Sequence, residues 1–132
     1  MTDSDAYGNP LPKDAKLMAV FSHLSSLAGV YLTLGILPFF GPLIFWLIYK
    51  DRPEYTFVRE CSKNAFNFNL TIWLANLVSI LAAILSLGLL ALVPIIVVSL
   101  TGVVLTIFHI IGAVKAYQGE VYTYPFKINI LR

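Results

Sequence analysis

Charge is scarce in this chain. Only 12% of its 132 residues are Asp, Glu, Lys or Arg, while 58% are apolar. A soluble domain carries about one charged residue in four, so that class is excluded. The few charges are also segregated, with none between Lys16 and Lys50 and none between Lys63 and Lys115. Each gap exceeds the roughly 20 apolar residues that a spanning helix needs, which makes this an integral membrane protein. Cysteine is nearly missing, and Cys61 alone excludes an internal disulfide and a cysteine-rich metal cluster. A basic n-region is missing too: Asp3, Asp5 and Asp14 stand among Lys13 and Lys16, so the following apolar run is expected to stay in the mature protein. There is no glycine-rich phosphate loop, nucleophile elbow or HExxH helix. The chain is therefore read as non-enzymatic, with no cofactor, no metal and no nucleic-acid partner.

What is present is a set of apolar segments, expected at about 13–34, 38–50, 64–87 and 94–117 in a single membrane domain, 13–132, behind a flexible segment, 1–12. Residues 64–87 and 94–117 are each long enough to cross, and Gly88 and Pro94 mark the turn between them. From Leu17 to Tyr49 the run is too long for one span, and Pro38, Gly41 and Pro42 interrupt it. A first helix to about Leu34 can cross; the remainder is short and either crosses obliquely or re-enters from the side it left. With four segments, all nine basic residues lie on one side and the other side has no charge, as the positive-inside bias favours. Three spans would instead put Lys13 and Lys16 outside. The expectation is a compact all-α bundle in the bacterial inner membrane with both termini cytoplasmic.

The stretches "FSHLSSLAG", "GPLIFWLIYKD", "KNAFNFNLTIW" and "VKAYQGEVYTYPFKI" occur in that order. In this respect the chain resembles small bacterial membrane proteins of unknown function related to the Tic component of the chloroplast inner-envelope import translocon. The most specific pieces are Asn67 and Phe68, then Gly119, Glu120, Tyr124 and Pro125. The resemblance implies a four-helix membrane fold and, remotely, a translocation role.

Within the apolar segments the polar candidates are His23, Asn64, Asn67, Thr71, Asn76 and His109. At 100° per residue Asn64, Asn67 and Thr71 share one face, with Asn69 and Asn76 nearly opposite. They read as interhelical hydrogen-bonding groups, or else as the lining of a polar passage; no acid, lysine or arginine accompanies them. His109 lies on a stripe with Gly102, Thr106 and Ala113, and His23 beside Ser22, Ser25 and Ser26, so each imidazole is expected to bond a hydroxyl or backbone carbonyl. Two histidines are too few for a metal site, and proton relay lacks a buried acid.

The loop "KDRPEYTFVRECSKN" reads as a solvated connection with aromatics at headgroup level, or as a docking surface formed by Arg52, Arg59 and Lys63. In the tail, Gly119 closes the last helix, Tyr122, Tyr124 and Pro125 suit the membrane interface, and "FKINI" alternates with period two, so an ordered segment is expected, lying along the membrane surface or offering a strand edge to another chain. The functional expectation is an accessory or interaction subunit that meets lipid and a larger membrane protein or further copies of itself. The alternative is a transport or translocation component.

Overall fold

The computed structural model describes residues 3–132. It contains α1 (Ala15–Leu32), α2 (Phe40–Tyr49), α3 (Thr56–Leu85) and α4 (Leu92–Tyr117), with a 3-10 turn at Pro53–Tyr55 leading into α3. Helices α1, α3 and α4 are each long and apolar enough to cross a membrane, whereas α2 has only 10 residues. At 1.5 Å per residue α2 spans about 15 Å, half of a hydrocarbon core of about 30 Å.

Two helical hairpins, α1–α2 and α3–α4, stand side by side. Leu11, Ala15, Ala19, Tyr49, Phe57, Val58, Cys61 and Ala116 form one apolar cluster, which joins the starts of α1 and α3 to the ends of α2 and α4. The Tyr55 hydroxyl donates to the Asp14 carboxylate at 2.8 Å across the same end. Cluster and bond together place all the helix ends that border charged sequence at one pole of the molecule.

This packing corrects the expected start of the third segment. Helix α3 begins at Thr56, inside the stretch read as a solvated loop. Phe57, Val58 and Cys61 supply the reason, being an apolar stripe at helical spacing that buries against α1 and Tyr49. Arg59 and Lys63 consequently lie on a helix, and only Arg52 stays in the connection.

Both hairpins turn on the same device. Helix α1 is followed by Thr33-Leu34-Gly35 and α3 by Ser86-Leu87-Gly88, with positive φ at Leu34, Gly35, Leu87 and Gly88. The Gly35 N–H donates to Val30 O (2.7 Å) and the Gly88 N–H to Ala83 O (3.1 Å), each satisfying a carbonyl in the last helical turn. The Thr33 and Ser86 hydroxyls then accept the N–H groups of Leu37 (2.9 Å) and Leu90 (3.1 Å). These bonds satisfy several of the turns' backbone groups internally, as an apolar setting favours.

The hairpins differ in reach. Leu85, Leu87 and Leu89 are 82%, 95% and 90% exposed, because the tip of α3–α4 extends beyond the end of α1. The α1–α2 turn rests against the middle of α3, where Asn69 donates to Pro38 O.

At the opposite pole, where a flexible segment was expected, residues 3–11 form a small hairpin of β1 (Asp3–Ser4) and β2 (Pro10–Leu11). The Asp5 carboxylate accepts the N–H groups of Tyr7 (2.9 Å) and Asn9 (2.8 Å), and the Ala6 N–H donates to Gly119 O at 3.0 Å. The Ser4 N–H, and then Lys16 at 3.1 Å, hold the Asp3 carboxyl below its ordinary range.

Candidate functional site: a buried polar chain and a tail clamp

Several of the side chains packed deepest between the helices are polar. His23 on α1, Asn69 on α3 and His109 on α4 are fully buried, and Tyr124 from the tail is 2% exposed. The Tyr124 hydroxyl lies 2.6 Å from His23 Nδ1 and 2.8 Å from His109 Nδ1. His109 Nε2 lies 2.6 Å from Asn69 Oδ1, and Asn69 Nδ2 reaches Ser26 Oγ and Pro38 O, each at 2.9 Å.

One end of this chain fixes every proton in it. Pro38 O can only accept, so the Asn69 amide nitrogen faces it and Oδ1 faces His109. Neutral His109 therefore carries its proton on Nε2 and donates to Asn69, leaving Nδ1 to accept from the Tyr124 hydroxyl. The phenol oxygen in turn accepts from His23 Nδ1–H. The chain runs in one direction and ends at His23 Nε2, which has no hydrogen-bond partner among the described residues.

Packing seals the chain. The Phe68 ring stacks on Tyr124 with centroids 4.5 Å apart. Gly112 on α4 faces the His23–Tyr124 bond so closely that a Cβ there would lie 2.8 Å from both His23 Nδ1 and the Tyr124 hydroxyl. By contrast, Gly102 on the expected small-residue stripe has nothing within 4 Å.

The second constellation is the amide face of α3, and here the expected geometry and the expected partner part company. Asn64, Asn67 and Thr71 do share one face, but that face holds the tail rather than another helix. Asn67 Nδ2 donates to Leu131 O at 2.9 Å, while its Oδ1 accepts the N–H groups of Ile130 (3.1 Å) and Leu131 (2.9 Å). Thr71 Oγ1 accepts the Ile128 N–H at 2.8 Å, and Asn64 Nδ2 donates to Tyr122 O at 3.0 Å. Asn76 does link helices, accepting from the Thr101 hydroxyl at 3.0 Å.

Tyr124 is the main residue that sequence reasoning misplaced, since it sits in the interior and not at the membrane interface. Its phenol supplies what both imidazoles lack, a group that donates to one and accepts from the other. Asn69, noticed only for its face, and Ser26 complete the chain. Of the loop candidates, Lys63 Nζ lies 2.5 Å from the Glu60 carboxylate and Arg59 Nε lies 3.5 Å from the same carboxylate, while Arg52 lies 5.6 Å from the Tyr49 ring centroid. Cys61 is fully buried. Among the described residues no three His, Cys, Asp or Glu side chains gather as a metal site would require.

Three helices long and apolar enough to cross a membrane, a short fourth helix and a polar hydrogen-bonded interior define a small multi-helix protein of membrane-protein character. The family of magnetosome magnetite crystal formation proteins, MamF/MmsF, matches residues 14–131, and the chain belongs to it. Comparison with curated proteins and with solved structures returns no match. The family match overturns the resemblance to Tic-related proteins and leaves the translocation alternative without support. The most specific residues of that resemblance are packing elements: Asn67, Phe68 and Tyr124 seat the tail on the bundle, and the Gly119 carbonyl holds the N-terminal hairpin through Ala6. Helix packing of this kind recurs wherever small bundles close and does not identify a function.

Proposed function

We propose that this chain is a non-enzymatic subunit of the membrane that encloses a growing magnetite crystal, acting in crystal formation by organising that membrane or its proteins. The family match over residues 14–131 carries the reading, since it takes in both hairpins and the tail. The site chemistry supports a structural role. The hydrogen-bonded chain begins at a carbonyl that only accepts, includes no acid, and is enclosed on all sides, so it orders the helices without offering a route for protons or substrate.

In this reading the bundle has four membrane segments, with α1–α2 a shallower hairpin that re-enters and the tail an ordered interfacial segment clamped by Asn67. Both termini face the cytoplasm. The apolar outer surface meets lipid and a larger membrane protein or further copies of the chain. Deletion in a magnetosome-forming bacterium tests the role: crystals should change in size or shape and recover on complementation. The chain should also co-purify from native membranes, in mild detergent, with a stoichiometric partner or as an oligomer. Unaltered crystals, or ion or peptide flux through the protein reconstituted alone, would overturn the reading.

A further inference from the structure

A second group of polar side chains lies where the tail crosses the first turns of α3, around a cavity of about 650 Å³. Lys63, Lys127 and Arg132 line it together with Glu60, Asn64 and Asn129. Its charges do not cancel. Glu60 is already engaged by Lys63 at 2.5 Å and approached by Arg59 at 3.5 Å. Lys127 Nζ donates only to neutral amide oxygens, Asn64 Oδ1 at 2.9 Å and Asn129 Oδ1 at 3.0 Å, and among the described residues neither Lys127 nor Arg132 has a carboxylate within ion-pair distance. Burial, and then the charge of Lys63, lower the Lys127 pKa, although Glu60 opposes the shift, so the two ammonium groups repel across the cavity.

Such an arrangement is completed by an anion that presents several oxygens. A phosphate group fits this requirement, because ammonium and guanidinium side chains line the same cavity and Thr123 adds a hydroxyl to its lining. The cavity lies at the basic pole of the bundle, and beside it the tail exposes Phe126 (89%), Ile128 (53%) and Ile130 (49%). This is an apolar strip of the kind an acyl chain covers.

We propose that this cavity is a binding site for a phosphate-bearing anion, held by Lys63, Lys127 and Arg132. Phospholipid headgroups and free phosphate share that chemistry, and the experiment has an arm for each. The full chain in neutral detergent would be offered phosphatidylglycerol or phosphatidylcholine and the retained lipid measured by native mass spectrometry; inorganic phosphate would be titrated separately by calorimetry. Retention of phosphatidylglycerol above phosphatidylcholine assigns the site to lipid, and binding of phosphate alone assigns it to the free anion. Either is expected to weaken about fivefold for each charge removed in Lys127→Gln or Arg132→Gln. Among the described residues the Arg132 side chain makes no hydrogen bond or ion pair, so Arg132→Gln keeps the test open should Lys127→Gln destabilise the tail. The double variant Lys13→Gln/Lys50→Gln removes twice the charge of either single variant from the same pole outside the cavity and should bind as the parent does. Binding of neither probe, or equal weakening by the Lys13/Lys50 variant, would overturn the site.

Discussion

Tyr124 has the most demanding position of any single residue, because one hydroxyl serves two buried imidazoles. In Tyr124→Phe, His23 Nδ1–H loses its acceptor and His109 Nδ1 its donor, while the stacking on Phe68 survives. Two buried polar groups left unpaired should cost about 2–4 kcal/mol, read as a fall in thermal stability in detergent. If melting is unchanged, the phenol does not bridge the histidines. Gly112 protects the same bond by being small. Gly112→Ala places a methyl where His23 and Tyr124 must move, at a cost of about 1–3 kcal/mol, whereas Gly102→Ala, with open space around it, should be neutral. Equal melting of the two variants would mean that α4 does not approach α1 at Gly112. The sequence displayed the two histidines and the small-residue stripe. It did not display their connection, since Tyr124 lies 101 residues from His23 and a tyrosine near a helix end ordinarily marks the interface.

At the scale of elements, the hairpins were legible and the partner of the α3 amide face was not. Charge-free gaps, Gly35, Gly88 and Pro94 marked where helices begin and turn, because those signals are local. The early start of α3 was hidden because Phe57, Val58 and Cys61 alternate with charged residues, and only the facing surfaces of α1 and α2 reveal that the stripe is buried. Asn64, Asn67 and Thr71 could be placed on one face by periodicity, but the segment that binds there comes from 57 to 64 residues further along the chain. This relocates the effect of Asn67→Leu. The variant removes three hydrogen bonds to the tail and none between helices. Amide exchange at Ile130 and Leu131 should therefore quicken sharply while the bundle loses only about 1 kcal/mol. Unchanged exchange there would show that the clamp does not hold the tail.

For the whole molecule, the open question in the sequence was whether the N-terminus shares a side with Lys50, and the packing bears on it directly. Asp14 accepts from Tyr55, and Ala6 donates to the carbonyl of Gly119, so the segment leading into α1 is joined to the connection before α3 and to the end of α4. A three-span arrangement would have to break both contacts and draw the Ala15–Ala116 cluster apart. It would also carry Lys13 and Lys16 to the far side, against the positive-inside bias. Single cysteines read this out, and the native Cys61 is silent because it is fully buried. In intact cells of a bacterium that forms no magnetite-enclosing membrane and carries the chain in its cytoplasmic membrane, a membrane-impermeant maleimide should label Leu89→Cys, at the exposed tip of α3–α4, and should miss Lys13→Cys and Lys50→Cys until the membrane is opened. Labelling of Lys13→Cys from outside while Lys50→Cys stays protected would establish three spans. It would also require that the joined pole described here come apart in the bilayer.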